Sequence, residues 1–286
     1  MNAAQPNLRD WIGRTDSATD VVTATPFAAL SATLDYAPQR PATGTPLPAL
    51  WHWLYFLPLY RESDVGDDGH AKLGGFLPPV PLPRRMWAGS QFEFHRPLCI
   101  GDSIARTSTI ADVSQKTGRS GALVFVKVRH EIRRQDESEP SITEVHDIVY
   151  REAPQPGAAA AAPQRAPATA AWEHTIVPDD VLLFRYSALT FNSHRIHYDR
   201  RYVTTVECYP GLVVHGPLLA TLLVDLLRRE RPEATLTRYE FRAASPVFDT
   251  HSFKLCGEPA IDGSSVRLWV KDHYGALAMD AAASIR

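Results

Sequence analysis

Apolar and β-branched residues alternate with polar residues in several short stretches of the chain, a pattern that predicts half-buried β-strands. In the first half these stretches are residues 87–94, 103–113, 123–133 and 142–151. In the second half they are residues 238–242, 251–256, 266–271 and 277–286. Turn residues such as Gly101 and Asp102 separate the stretches, so the pattern predicts two successive sets of antiparallel strands.

Helix-compatible runs precede both sets of strands. Residues 27–34 are rich in Ala and Leu, which favours a helix. Residues 46–59 carry apolar side chains at helical spacing, but their many aromatic residues also suit a strand, and both alternatives remain open. Residues 218–229 are rich in Leu and follow Gly216, which predicts the long helix of the second half. A helix followed by antiparallel strands, found twice, indicates an α+β protein with two similar domains.

Two irregular stretches interrupt the pattern. Residues 153–171 are rich in Ala and Pro and almost uncharged, so we predict an N-terminal domain over 1–152, a linker over 153–171 and a C-terminal domain over 172–286. Residues 66–83 are rich in Gly and Pro, which excludes a regular element. Loops of this length are often functional, so this one is either a lid over a ligand or a plain surface connection.

Composition narrows the function classes. The 286 residues are 44% hydrophobic, which is sufficient for a buried core, and the net charge of −2 gives no basic field for nucleic acid. The three cysteines show no metal-ligand spacing and are interpreted as reduced thiols. The N-terminus lacks the features of a signal peptide, and no apolar run is long enough to span a membrane. We therefore expect a cytoplasmic protein that binds neither nucleic acid nor membrane.

Histidines concentrate immediately before the predicted long helix. His197 is the candidate for proton transfer, because only imidazole has an unperturbed pKa close to neutrality. Gly216 begins the helix, where the first backbone N–H groups have no partner within the helix and can stabilise developing negative charge. An imidazole beside such donors suits proton transfer next to a polarised carbonyl.

The segment Thr-Phe-Asn-Ser-His-Arg-Ile-His-Tyr-Asp at residues 190–199, followed by His215 and Gly216, resembles the signature of the MaoC-like, type 2 enoyl-thioester hydratases. In that family Asp, any residue, Asn, Pro, an aliphatic residue and His precede a second His-Gly at the long helix. The likeness covers nearly the whole chain and is closest to the branch of mesaconyl- and itaconyl-CoA hydratases and 3-hydroxyacyl-thioester dehydratases. It implies a double hotdog, with two curved antiparallel sheets each wrapped around a long central helix. Residues 1–152 then resemble a FAS1-like dehydratase N-terminal domain without the catalytic motif.

The resemblance implies a hydro-lyase that adds water reversibly to a short, dicarboxylic acyl-CoA, such as mesaconyl- or itaconyl-CoA, to give citramalyl-CoA. The alternatives are a dehydratase for fatty 3-hydroxyacyl thioesters, a non-catalytic acyl-thioester-binding protein and a thioesterase. The resemblance implies no cofactor, and either a monomer of two fused hotdogs or a homodimer. His194, His197 and His215 also raise the possibility of a metal site, but no carboxylate or thiol accompanies them at fixed spacing, and we predict no metal.

The resemblance also implies residue roles. His197 would exchange protons with water and substrate, and the N–H of Gly216 would bind the thioester oxygen. Asn192 replaces the family's Asp and would orient the water, or it is an Asx-turn residue. His215 could pack, orient or assist in substrate binding. Asp199 could form a dyad with His197, or cap a short helix that begins at residue 200.

Arginines are the candidates for binding charged parts of the substrate. Arg195 and Arg185 could clamp a substrate carboxylate through two parallel hydrogen bonds. Arg195 could instead face solvent or pair with Asp199. Arg84 and Arg85 could bind a phosphate or a carboxylate, or lie on the surface beside a proline turn.

Overall fold

The computed structural model describes residues 6–118, 121–152 and 163–286. Within these residues the strands form one antiparallel sheet of ten strands. They are β1 (Thr15–Val21), β2 (Arg84–Phe94), β3 (Ser103–Gly118), β4 (Gly121–Arg134), β5 (Ile142–Arg151), β6 (Trp172–Ile176), β7 (Leu236–Ala243), β8 (Phe253–Pro259), β9 (Ser265–Lys271) and β10 (Leu277–Ile285). In β4, Val124, Val126 and Val128 are buried, which is the alternation that predicts a strand.

The sheet shows the internal repeat that the sequence predicts. The strand order is β1-β3-β4-β5-β2-β7-β10-β9-β8-β6, so both halves place their first strand at the outer edge and their second strand at the centre. There β2 pairs with β7, from Gly89 opposite Arg242 to Glu93 opposite Arg238. The prediction of two sheets is wrong in this respect, because the inner edge strands satisfy each other's backbone groups and join the halves into one sheet.

The helices divide unequally between the halves. They are α1 (Ala24–Thr33), α2 (Asp180–Leu189), α3 (Arg200–Thr205) and α4 (Gly216–Glu230), and 3-10 turns lie at Leu8–Trp11, Trp51–Leu54, Glu62–Asp64 and Arg195–His197. The long helix α4 packs against β8, β9 and β10. Every residue from 218 to 227 is buried. In the C-terminal half the sheet therefore packs on a long helix, as predicted.

The N-terminal half lacks an equivalent of α4 among the described residues. Residues 46–59 form only the short turn Trp51–Leu54. Leu50 and Phe56 flank that turn with positive φ angles of 68° and 54°, which no α-helix of L-residues can continue through. The prediction of a long central helix in this half is wrong, and α1 contacts α2 instead.

One hydrophobic core spans both halves. Trp51 and Phe92 from the N-terminal half share it with Leu223 and Phe241 from the C-terminal half. The rings of Phe92 and Phe241 stack with their centroids 6.3 Å apart, across the pair of central strands. Because apolar burial is the main favourable term in folding, neither half completes its core alone.

The connections between elements lie where the Gly- and Pro-rich stretches predict them. Residues 66–83 contain no helix or strand, and Val80 from this loop packs against β3, β4 and β5. Residues 153–162 of the predicted linker lie outside the described residues, so the domain boundaries stay predictions. Ala166 and Ala170 pack against Trp269, and β6 then begins at residue 172. No helix in the described parts of the chain has the length and apolar character to cross a membrane.

Candidate active site

The motif segment is a series of turns between α2 and α3. The Oδ1 atom of Asn192 accepts a hydrogen bond from the backbone N–H of His194 at 3.0 Å, so the Asx-turn alternative for Asn192 is what the structure shows. Asp199 accepts from the N–H of Tyr202 at 2.9 Å and caps α3, as the sequence allowed. These turns direct His194 and His197 towards the start of α4.

His197 is a buried imidazole with one ring nitrogen that has no hydrogen-bond partner among the described residues. Its Nδ1 atom lies 2.7 Å from the carbonyl oxygen of Val213, so Nδ1 carries the proton and donates it. Nε2 then carries the lone pair. Burial lowers the pKa of His197 to about 4, and the hydrogen bond to Val213 only partly opposes this. The imidazole is therefore neutral at pH 7 and able to accept a proton.

The start of α4 supplies the donors that an oxyanion needs. The backbone N–H of Gly216 has no acceptor among the described residues, and Pro217 follows it in the first turn. A Cβ atom built on Gly216 would have no neighbour within 4 Å, so the space beside its Cα is open. The free N–H and the positive end of the helix dipole both favour an approaching carbonyl oxygen.

Four imidazoles form a row beside this helix start. The ring of His215 stacks on that of His197 with centroids 3.7 Å apart, His194 lies 5.4 Å from His197, and His70 lies 3.8 Å from His194. Burial lowers the pKa of all four, to about 2 for His194, so the row is uncharged at neutral pH. His215 is buried, with its Nε2 atom 2.8 Å from the hydroxyl of Ser187, so it backs the ring of His197.

His70 comes from the loop of residues 66–83, which is fastened to the motif. The carbonyl oxygen of Asp68 accepts from the N–H of Arg195 at 2.9 Å, and that of Gly69 accepts from the hydroxyl of Ser193 at 2.6 Å. Gly69 has a φ of 87°, and a Cβ atom there would lie 1.8 Å from the carbonyl oxygen of Ser193. Only glycine permits this approach, so the loop covers the motif rather than merely connecting two elements.

Sequence reasoning missed His70 and Asp68. They lie at least 120 residues before the motif, and no local pattern reports a contact over that distance. The available signal was the polar run Asp67-Asp68-Gly69-His70 within a loop already suspected of being a lid.

Three of the arginines predicted to bind charged parts of the substrate lie in different environments, and none of the three is placed beside the site histidines to bind a carboxylate. Arg195 pairs with Asp199 at 2.7 Å and lies 4.2 Å from the ring of Tyr202, so the pairing alternative holds and its guanidinium is not free to clamp a carboxylate. Arg84 pairs with Glu207 at 3.2 Å. Arg185 is exposed and lines a cleft of about 510 Å³ that contains none of the four site histidines.

Arg85 is the arginine that the structure places beside the histidines. It lines a pocket of about 140 Å³ with Asp68, His70 and Tyr150. Its guanidinium lies beside the Tyr150 hydroxyl. The Tyr150 hydroxyl is fully buried, and burial raises the pKa of Tyr150 while the charge and the hydrogen bond of the Arg85 guanidinium partly offset this. A guanidinium and a buried hydroxyl of this kind suit an anionic group.

One group of side chains has donor atoms close enough for a metal ion. In the described part of the chain, the donor atoms of Asp68, His70 and His194 all lie within 4.8 Å of one another. However, Nδ1 of His70 already lies 3.0 Å from Oδ2 of Asp68, and the positive charge of Arg85 lowers the pKa of both imidazoles. A cation would break that hydrogen bond and face the guanidinium, so we assign the group to hydrogen bonding.

Comparison with known proteins agrees with this geometry. A family model described as hydroxyacyl-thioester dehydratase type 2 matches residues 50–249. The chain belongs to that family. The mesaconyl-C(4)-CoA hydratase of Chloroflexus aurantiacus is 45% identical over 278 residues, which cover 96% of each chain. The mitochondrial hydroxyacyl-thioester dehydratase type 2 of Schizosaccharomyces pombe is 29% identical over 232 residues, covering 72% of this chain and 76% of that protein.

Solved structures show the same fold for this member of the hydroxyacyl-thioester dehydratase type 2 family. A MaoC-like dehydratase aligns over 98% of this chain and 99% of its own length, with a TM-score of 0.71 and 14% sequence identity. The predicted resemblance and the MaoC-like hotdog fold are therefore confirmed. The prediction that the chain is an enzyme of the hydratase and dehydratase class is confirmed as well.

Proposed function

We propose that the protein hydrates the double bond of a short acyl-CoA that carries a second carboxylate, such as mesaconyl- or itaconyl-CoA, and that the reaction is reversible. One observation carries the proposal: His197, with an unprotonated Nε2, stacks on the residue that directly precedes Gly216, whose N–H has no acceptor among the described residues. This combination of base and oxyanion donor is what addition of water to an enoyl thioester requires.

The proposed reaction follows from these groups. The N–H of Gly216 donates to the thioester oxygen, which withdraws electrons from the conjugated double bond. Water bonds to the β-carbon as Nε2 of His197 takes one of its protons, and the electrons of the double bond move towards the thioester as an enolate. The imidazolium of His197 then returns the proton to the α-carbon. One water is added, and His197 ends as it began, so no cofactor is needed.

The second carboxylate is proposed from the far end of the row of imidazoles. His215, which directly precedes Gly216, stacks on His197. The rings of His194 and then His70 continue the row in space. Arg85 and the pocket of about 140 Å³ lie at the His70 end. A short acyl chain bound to Gly216 by its thioester would extend along the row and present a distal carboxylate to Arg85. The 45% identical hydratase of mesaconyl-C(4)-CoA supports this assignment.

The test is an assay of water addition across a panel of enoyl-CoA esters, followed by mass. We expect a gain of one water for mesaconyl-CoA or itaconyl-CoA without release of free CoA. In His197→Ala, kcat should fall by about 10²–10⁴, the range for loss of a general acid–base. The matched control is His174→Ala, which removes an exposed imidazole of the same half and should not change kcat. Release of free CoA would indicate a thioesterase, and near-normal turnover by folded His197→Ala would overturn the role of His197.

A further inference from the structure

The reacting water needs a second acceptor besides His197. One imidazole directs only one of the two O–H bonds of water, and positioning of the nucleophile contributes strongly to the rate. The sequence offers Asn192 for this role, but its Oδ1 atom is held by the backbone N–H of His194 at 3.0 Å. That bond keeps the amide oxygen against its own turn.

Asp68 holds His70 in the tautomer that an acceptor requires. Oδ1 of Asp68 accepts from the backbone N–H of His70 at 2.9 Å, and Oδ2 lies 3.0 Å from Nδ1 of the ring. The hydrogen bond from His70 lowers the pKa of Asp68, so the carboxylate is ionised and acts only as an acceptor. Nδ1 must therefore carry the proton, which leaves the lone pair on Nε2.

His70 is also positioned from both sides of the site. Its loop is fastened to Ser193 and Arg195 through backbone carbonyl oxygens. Its ring lies 3.8 Å from that of His194, with the two planes tilted by 39°, and the ring of His194 lies 5.4 Å from that of His197. His70 is close enough to His197 to help lower its pKa, although burial is the larger cause. It also lines the pocket that contains Arg85. In the proposed binding mode the acyl chain runs from Gly216 towards Arg85, so the β-carbon, one bond farther from the thioester than the α-carbon, is the reacting carbon nearer to His70.

We propose that His70, held by Asp68, is a second catalytic residue, whose Nε2 accepts a hydrogen bond from the reacting water while His197 takes the other proton. This inference rests on the proposed hydratase function. The proton taken by His197 goes to the α-carbon, and the hydrogen bonded to His70 stays on the new hydroxyl group. His70 therefore gains and loses no proton.

The charges around His70 determine the pH range in which it can accept. Burial lowers the pKa of His70, Asp68 in its own loop raises it, and Arg85 on β2 lowers it. His194 of the motif segment, whose ring lies 3.8 Å away, is itself neutral. A neutral His70 has a lone pair on Nε2 and can accept a hydrogen bond from the water. A protonated His70 would instead donate to the water oxygen.

The first test removes the ring and then replaces it. His70→Ala should lower kcat for hydration by about 10²-fold, with KM unchanged within about twofold, because the loss falls on the transition state. Free imidazole added to His70→Ala should restore part of kcat, with a pH dependence that follows the neutral form of the added imidazole. The control His95→Ala removes an exposed imidazole of the same half, and it should show neither loss nor rescue.

The second test keeps the ring of His70 and replaces the charged Asp68 by a neutral amide, which retains one of the two acceptor oxygens. In Asp68→Asn the pKa of His70 falls, because the carboxylate raises it. His70 then stays neutral to lower pH, and the acid limb of kcat/KM should move to lower pH. This profile tests the inference even if His70→Ala does not fold.

The outcomes separate the two proposals. If the wild-type protein hydrates no member of the panel, the proposed function fails and the inference fails with it. If the wild type is active and folded His70→Ala is equally active, or is impaired without imidazole rescue, the inference alone is overturned. An unshifted acid limb in Asp68→Asn also overturns it.

Discussion

Burial lowers the pKa of both His130 and His197, yet of the two only His197 has a ring nitrogen without a partner among the described residues. His130 uses both ring nitrogens, one 2.8 Å from the hydroxyl of Ser108 and the other 3.3 Å from the ring of His146. His197 uses one nitrogen, on the carbonyl of Val213. At the scale of single residues, we therefore assign proton transfer to His197 and a structural role to His130.

The sequence predicts some of these residues and not others. The motif predicts that His197 and Gly216 lie together, because the segment and the helix start are close along the chain. The same closeness misled the assignment of Arg195, whose spacing of four residues from Asp199 favours an ion pair. Arg85 lies more than 100 residues from His197 in sequence, and only the pairing of the two halves brings it to the site.

Arg85→Met should change specificity more than general activity. Loss of a charge-assisted hydrogen bond to a carboxylate should lower kcat/KM for mesaconyl-CoA by about 10- to 100-fold. Crotonyl-CoA has no second carboxylate, so its kcat/KM should change little. Arg129→Met, at an exposed surface pair, is the control. If Arg85→Met lowers kcat/KM equally for mesaconyl-CoA and crotonyl-CoA, Arg85 does not bind the distal carboxylate.

At the scale of elements, alternating patterns predict the strands well. The conformation of residues 46–59 and the partner of the loop of residues 66–83 depend on long-range contacts instead. The valines of β4 predict its buried face directly. The helical spacing of residues 46–59 is misleading, because Leu50 and Phe56 adopt left-handed conformations that sequence spacing does not reveal. The loop of residues 66–83 is predicted as a loop, but its partner, the motif segment, is not.

Gly69→Ala tests whether the loop must contact the motif. Its Cβ atom would lie 1.8 Å from the carbonyl oxygen of Ser193, so the loop must shift away and carry His70 with it. We expect kcat to fall by at least about 10-fold, by misplacement of a catalytic group. Gly44→Ala is a matched control, because Gly44 has the same φ of 87° but no atom within 4 Å of its Cβ position. Equal activity of the two variants would contradict the coupling.

At the scale of the whole molecule, buried neutral imidazoles make stability depend on pH. Burial lowers the pKa to about 3 for His130, about 2 for His194 and about 4 for His197. In the unfolded chain each imidazole would titrate near pH 6.5. Below that pH the unfolded state therefore binds more protons than the folded state. Stability must therefore fall as the pH falls from 7 towards 4. The lowered pKa values of Asp68 and Glu144 add a loss only at still lower pH.

The free energy of unfolding should decrease by about 2 kcal/mol for each such imidazole between pH 7 and pH 5. Urea unfolding at the two pH values measures the difference. His197→Asn should reduce this pH dependence, whereas His95→Asn, which removes an exposed imidazole, should leave it unchanged. Equal stability of the wild-type protein at pH 7 and pH 5 would contradict the burial of these groups in neutral form.

The pairing of β2 with β7 has a consequence for symmetry and stoichiometry. Two identical hotdogs related by a twofold axis would repeat every site, with the same residues on each side. Here the two sides of the axis belong to one chain and differ, so Asp68, His70 and Arg85 can come from one side while His197 and Gly216 come from the other. The described residues thus give one site per chain, and a tight-binding substrate analogue should saturate the protein at one equivalent rather than two.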